Sequence, residues 1–375
     1  MTIHAVVGGQ FGSEAKGHVA AQLAARLSTA RLGKKQHQVR VGGSNAGHSA
    51  VAADGTVWAL RQVPAAAVID VEADLYIAQG SEVDFDVLKS EVDALDAAGY
   101  KVSKRLMIDA NATVIEPHHI ERETGSDINA RTGSTSKGIG AARADRIMRI
   151  AKTVRDVEAF QALGEVCETA PLFHNAQRRG EHIIVEGTQG YGLGMHTRFY
   201  PQTTSGNCRT VDLLAQIGYV PLNIYEPRDI HTWLVLRTYP IRVAGNSGSM
   251  DSHELTWEEL GERTGGYVKA ERTTVTKKIR RVAEWNPNVV MQAVQANGGV
   301  NPYLHPCLMF IDYFEPRIAG ETVLSAMYGY SDLMQDVRHC EIHIGKRADM
   351  YGTSPSTVIT RDSEIYESLT DWKMQ

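Results

Sequence analysis

No stretch of this chain approaches the roughly 20 consecutive apolar residues that a membrane helix requires, and the first residues carry neither the basic start nor the apolar core of a secretory leader. Cysteine is scarce. Cys167, Cys208, Cys307 and Cys340 lie far apart with no C-x-x-C pair, which excludes a disulfide scaffold and offers no structural zinc spacing. Charge of one sign is not in excess: 39 Lys and Arg face 44 Asp and Glu, a net charge of −5, with a pI near 6.3. That balance argues against a general nucleic-acid or membrane-surface binder. No repeat, low-complexity tract or Pro- or Ser-rich linker interrupts the 375 residues. The expectation is one domain over residues 1–375, reduced and cytoplasmic, with a sizeable core.

What is present is ordinary in bulk, 43% hydrophobic and 22% charged, and distinctive in its loops. Residues 5–18 run from a short β-branched strand (Val6, Val7) through a glycine-rich turn (Gly8, Gly9, Gly12) to Lys16 and the apolar spacing Val19, Leu23, Leu27 of an amphipathic helix. Strand, glycine loop and helix start form a place for an anion, because backbone N–H groups and the helix N-terminus converge there. Lys16 adds a point charge. The pattern is not a Walker loop: Ala15 precedes the lysine and Gly17 follows it. The alternative is a purely structural turn with Ser13 as the helix N-cap.

Strand-like runs recur at Ala5–Val7, Leu75–Ala78, Leu106–Ile108, Ile183–Val185, Trp233–Leu236 and Leu308–Ile311. Helical periods fall between them, at Val83 to Ala97 and Ala144 to Ala159. This alternation predicts an α/β fold with a large, mostly parallel central sheet flanked by helices. Polar, glycine-rich segments at 8–17, 42–48, 132–140, 186–194 and 203–210 sit where such sheets keep their ligands. His48 closes the loop Val41 to His48, where its imidazole has room to act as an acid. Thr132 to Gly140 offers hydroxyls, amides and a cation; Gln189 in Glu186 to Gly190 has the groups to read a base edge. Arg272 to Arg281 places five cations within ten residues, which suits a dicarboxylate or a polyphosphate as well as a solvated face.

Together these segments resemble the adenylosuccinate synthetase family. Gly-Gly-Gln-Phe-Gly-Ser-Glu-Ala-Lys-Gly is similar to that family's G-x-Q-W-G-D-E-G-K-G, and Gly-Gly-Ser-Asn-Ala-Gly-His to its G-G-x-N-A-G-H. The Thr132–Gly140, Glu186–Gly190 and 273–281 segments agree in order, and the similarity runs from about residue 3 to 360. The resemblance implies a synthetase fold related to P-loop NTPases and a Mg²⁺-dependent ligase that phosphorylates a purine 6-oxygen and displaces the phosphate with L-aspartate. It implies catalytic roles for Ser13, Lys16 and His48. Ser13, Asn45, Ala46, Thr135, Arg149, Gln189, Thr204 and Lys278 would hold the nucleotide substrate, with Arg149 reaching a neighbouring subunit of a homodimer. Gly12, Glu14, Ala15, Lys16, Gly17, His18, Arg280, Asp312, Gly352, Ser354 and Pro355 would hold the triphosphate. Thr274, Val275, Thr276, Lys278 and Arg280 would hold aspartate, and Ser13 with the Gly47 carbonyl would ligate Mg²⁺.

Three departures carry information. The family's catalytic aspartate is Ser13, a poor general base but a small acceptor with room for a purine 2-amino group. The guanine-reading T-K-x-D motif is Met309-Phe310-Ile311-Asp312, which favours ATP or dATP over GTP as donor; Gly352 to Pro355 is similar to the loop flanking that base. An expected arginine is Lys278, which is not equivalent at a forked contact. These features resemble the phage-type branch of the family, which acts on dGMP, and the location would then be the host cytoplasm. The alternatives are an ordinary synthetase acting on IMP and a non-catalytic purine-nucleotide module.

Overall fold

The computed structural model describes residues 2–29, 34–220, 230–273 and 277–361. Ten strands build one sheet: β1 (Thr2–Gly8), β2 (Gln36–Arg40), β3 (Asp74–Ile77), β4 (Leu106–Asp109), β5 (Glu165–Cys167), β6 (His182–Gly190), β7 (Ile230–Arg237), β8 (Leu304–Met309), β9 (Met350–Gly352) and β10 (Val358–Thr360). Their spatial order is β10-β9-β8-β7-β1-β6-β2-β3-β4-β5. Every neighbouring pair is parallel except β9 with β10. β1 therefore lies at the centre between β6 and β7, and the loops leaving its C-terminal end and those of its neighbours meet at one edge. Helices pack on both faces, which is why β1 and β7 are almost wholly buried.

The apolar runs expected as strands are strands, with two C-terminal boundaries moved back: β3 ends at Ile77, before Ala78. β8 ends at Met309, Phe310 adopts a left-handed conformation (φ 64°), and Ile311–Tyr313 forms a tight helical turn. The helix expected from Val83 is Phe85–Ala97, started by Asp84, whose side chain accepts from the Val87 N–H. The helix expected over Ala144 to Ala159 is instead Ile139–Met148, halted at Arg149 (φ 63°), with short turns at Val154–Asp156 and Glu158–Ala162. Helix α1 (Lys16–Thr29) buries Val19, Leu23 and Leu27 as the spacing requires, but starts at Lys16, so Ser13 is not its N-cap.

β2 has no apolar pattern, yet Gln36, His37, Gln38 and Arg40 are all buried. Each is satisfied by a specific partner: Gln36 donates to the Ala24 carbonyl (3.1 Å), and His37 meets Tyr76 (3.0 Å) and Glu181 (2.9 Å). At the opposite end of the sheet from the polar loops, β1, β7 and β8 stack His4, His231 and His305 beside Trp233. Trp233 donates to His4 (3.2 Å), His231 meets His305 (2.7 Å), and His305 meets Asp349 (2.8 Å).

Burial pushes His182, His18 and His48 down to about 4, and lowers His4 and His305 as well. These rings are neutral when folded and charge when the chain unfolds in acid. Each therefore removes about 1.4 kcal/mol of stability per pH unit below an unfolded value near 6.5, until its folded value is reached. The melting temperature should fall steeply from pH 6.5 to 4; a flat melting temperature over that range contradicts this account.

Candidate active site

The loop after β1 turns on three left-handed residues, Gly12 (φ 88°), Ser13 (φ 57°) and Ala15 (φ 74°). Ala15 holds a conformation that glycine reaches freely and alanine does not. Glu14 is fully buried beneath the turn. Its Oε1 accepts from the N–H groups of Gly12 (2.7 Å) and Gln10 (3.2 Å), and its Oε2 meets Lys16 Nζ at 2.6 Å. A Cβ on Gly8 would lie 2.6 Å from that carboxylate, so a side chain there is excluded. Lys16 and the loop amides are thus gathered around an anion supplied by the chain itself. Ser13 alone in this turn is exposed.

Arg237, at the end of β7, ties this loop to two others. It is fully buried, donates to the Ser13 carbonyl (3.1 Å), pairs with Glu271 (2.6 Å) and lies over the Phe310 ring at 4.0 Å from its centroid. Its backbone N–H donates to Gln10 Oε1 (2.9 Å) while its carbonyl accepts from Gln10 Nε2 (3.1 Å). Nothing in the sequence reading singled out Arg237, though an arginine closing an apolar strand was a visible anomaly.

His48 opens the strand His48–Val51 and is not the free loop imidazole expected. It is buried against Glu186 through Nδ1, with Arg40 Nη1 2.9 Å from the same ring. Arg40 also reaches Glu186 (3.4 Å), whose Oε2 accepts from the Ala65 N–H (2.8 Å). Burial and then Arg40 lower His48 to about 4, and it is neutral at pH 7; His48 and then Arg40 overcome burial and hold Glu186 near 2. Sequence reading missed Arg40, and took Glu186 only as part of a loop motif.

Beside these groups Asn45, Gln189 (φ 59°) and Thr204 line a polar cleft with Gly43, Thr188 and Arg143. Arg143 crosses its wall, bonding Glu82 (2.6 and 3.2 Å) and the Ser205 carbonyl (2.8 Å). Ala46 lies next to the cleft, its carbonyl accepting from Arg40 (3.1 Å), and the following Gly47 is exposed. Thr135 is half-buried in the loop before helix α2 (Ile139–Met148). That helix start is fixed by Glu123, which accepts from the N–H groups of Gly138 (2.8 Å), Gly140 (2.7 Å) and Ala141 (3.1 Å). Arg149 is exposed at the far end of α2 and does not line the cleft.

On the other side of Arg237, Asp312 is buried and accepts from the Tyr267 hydroxyl (2.8 Å). Gly352 packs on Met309, and Ser354 accepts from the N–H groups of Ser356 and Thr357 (3.1 Å each), turning the chain at Pro355. His18, on α1 just past Gly17, bonds the main chain of Ser356 and so joins α1 to this loop. Thr274, Val275 and Thr276 lie outside the described residues. Lys278 is exposed, its N–H donating to Thr273 Oγ1 (3.1 Å). The Arg280 N–H donates to the Glu271 carbonyl (2.9 Å), and the Arg280 carbonyl accepts from Trp257 (2.7 Å).

Among the described residues, Glu116, His118 and His119 are grouped closely enough to share a cation. They are already engaged: His119 accepts from the Glu116 N–H (2.9 Å) and meets Asp145 (3.1 Å), and Glu116 pairs with Lys152 (2.7 Å).

Comparison with known proteins bears on this geometry. The sequence profile described as adenylosuccinate synthetase matches residues 5–169 and 158–312. The adenylosuccinate synthetase of Methanococcus vannielii is 30% identical over 368 residues, 96% of this chain and 99% of that one. That of Thermococcus onnurineus is 32% identical over 300 residues, 80% and 81% of the two chains. Among solved structures, the succinoaminodeoxyadenylate synthetase (PurZ) of cyanophage S-2L, bound to dGMP and dATP as an energy donor, superposes with a TM-score of 0.75. It is 26% identical and covers 98% of both chains. The fully ligated adenylosuccinate synthetase of Plasmodium falciparum has the same fold, with a TM-score of 0.77 over 96% of this chain and 100% of that one, at 15% identity.

Replacing Glu186 with glutamine removes the larger of the two negative charges that hold buried Arg40, leaving Glu91. Glu186→Gln should cost roughly 3–5 kcal/mol in urea denaturation; a loss below 1 kcal/mol contradicts the role given to the pair.

Proposed function

The chain belongs to the adenylosuccinate synthetase family, and from that premise we propose that it joins L-aspartate to C6 of dGMP at the expense of ATP or dATP. The product is N6-succino-2-amino-2′-deoxyadenylate. The family is one of nucleoside-triphosphate-dependent C–N ligases, so a non-catalytic nucleotide module is the weaker reading. The observation that carries the dGMP reading is Ser13. It is the exposed residue of the phosphate turn and stands where the family has an aspartate. The S-2L enzyme, whose structure holds dGMP and dATP, supports the same assignment. A second reading, IMP as acceptor, draws on the ordinary synthetases that are about 30% identical.

The chemistry converts a poor leaving group into a good one. The 6-oxygen takes the γ-phosphoryl group, the nucleoside diphosphate leaves, and the N1 proton departs on the solvent side that Ser13 opens. The aspartate amine then adds at C6, inorganic phosphate leaves, and the surplus amine proton passes to solvent. Lys16 exchanges its bond to Glu14 for one to the transferring phosphoryl group, within a loop already shaped around negative charge. The Ser13 hydroxyl accepts from the 2-amino group, a contact that hypoxanthine cannot make. Gln189, Asn45 and Thr204 line the acceptor cleft. His48, neutral between Glu186 and Arg40, serves the 6-oxygen by turning out of that pair. Lys278 and Arg280 flank the aspartate carboxylates.

For Mg²⁺ the chain offers the Ser13 hydroxyl and the carbonyl of exposed Gly47, while Glu14 is committed to Lys16 and two amides. Two neutral hard oxygens fit an ion that takes its charged ligands from nucleotide phosphates and keeps waters. When bound, it neutralises charge on the transferring phosphoryl group.

A homodimer accounts for the far end of α2. Arg149 is flanked by Ile147, Met148 and Ile150, which are 71%, 68% and 71% exposed. A second copy over this apolar rim would bring Arg149 to its nucleotide phosphate.

Ser13→Asp should lower kcat/KM for dGMP relative to IMP by tenfold or more, because a carboxylate crowds the 2-amino group. Unaltered dGMP turnover overturns the reading of Ser13. Arg149→Ala should raise KM for the acceptor about tenfold and leave KM for the triphosphate unchanged; equal acceptor KM in the two proteins removes Arg149 from the site.

A further inference from the structure

Asp312 presents an asymmetry that its fold position does not require. Its Oδ2 accepts from Tyr267 (2.8 Å), while its Oδ1 is buried and has no hydrogen-bond partner among the described residues. An ionised carboxylate with one oxygen orphaned in this way is costly. The groups facing it do little to hold the charge. Arg237 favours ionisation, but its guanidinium is spent on Glu271 (2.6 Å) and on the face of Phe310. Glu271 opposes ionisation, and the Tyr267 hydroxyl and a main-chain N–H favour it. Burial outweighs these contacts and pushes the carboxyl up to about 6. Phe310, two residues earlier, stands where a lysine of the T-K-x-D pattern would have supplied a compensating cation.

We propose that Asp312 reads the donor base as a neutral carboxylic acid, its Oδ1–H donating to N1 of adenine while Oδ2 accepts from the 6-amino group. The inference rests on assigning the loop after β8 to the donor base and specifies how that base is chosen. Adenine presents one acceptor (N1) beside one donor (the 6-amino group), which only the protonated carboxyl complements. Guanine presents two donors (N1–H and the 2-amino group), which only the carboxylate complements. Donor choice is therefore a choice of protonation state, and loss of the lysine at position 310 tips it toward adenine. Tyr267 fixes which oxygen keeps the proton, because the oxygen it bonds is held as an acceptor. Asp312 binds the base and takes no part in phosphoryl transfer.

The test is calorimetric titration of the full chain with the β,γ-imido analogues of ATP and GTP from pH 6 to 8, in two buffers of different ionisation enthalpy. The phosphates of the two analogues titrate alike, so the ratio of affinities isolates the base. That ratio should shift about a hundredfold toward GTP between pH 6 and 8, and only the adenine analogue should take up a proton at pH 7.5. Asp312→Asn supplies the donor and acceptor permanently; it should bind the adenine analogue at pH 8 as tightly as at pH 6, after correction for the same phosphate titration. A pH-independent ratio in the unaltered protein, absent proton uptake, or loss of adenine binding in Asp312→Asn overturns the proposal. Acceptor selectivity between dGMP and IMP plays no part in these readouts, so failure of the acceptor assignment registers separately, in turnover.

Discussion

The buried pair between Glu14 and Lys16 is the contact on which the site depends. Two charges taken out of water at the end of the central strand are tolerable only if their remaining valences are filled. The Gly12 and Gln10 amides do that for Glu14. The cost of this arrangement is visible in the backbone, which holds Ser13 and Ala15 in left-handed conformations. The return is a loop whose lysine is fixed in place at the end of β1; in the function proposed above, Lys16 must still give up Glu14 to meet a phosphoryl group.

Arg237 spreads that order sideways. One guanidinium touches the Ser13 carbonyl, Glu271 and Phe310. Glu271 in turn accepts from Tyr313 (3.0 Å), and its carbonyl accepts from the Arg280 N–H. The turn after β1, the segment after β8 and the cationic loop are therefore tied together by one buried cation. His18 adds a second tie, from α1 to the turn at Ser356. Beside the polar cleft, Arg40 plays the corresponding part for His48 and Glu186.

Much of this was legible in the sequence. Glycine loops after apolar runs marked the ligand edge of a parallel sheet, and the ordered motifs identified the family. What escaped has a physical cause in each case. β2 is polar in sequence and buried in the fold because His37 and Arg40 find partners far along the chain, at Glu181 and Glu186, which no local period reports. His48 looked like a free loop residue because Glu186, 138 positions away, is what captures it. Arg149 ends its helix in a left-handed turn, where the apolar period continued past it. Arg237 was hidden by the run of Trp233 to Leu236 that precedes it, although charge at the end of such a strand is itself the signal.

The central claim is that a serine in the phosphate turn selects a 2-amino purine. Phosphate release by the unaltered protein with Mg²⁺, L-aspartate and ATP, using dGMP, GMP or IMP as acceptor, tests it most directly. The account predicts aspartate-dependent release with dGMP, one phosphate per succino product, and little with IMP. Turnover with IMP and none with dGMP would contradict it and return the protein to ordinary adenylosuccinate synthesis.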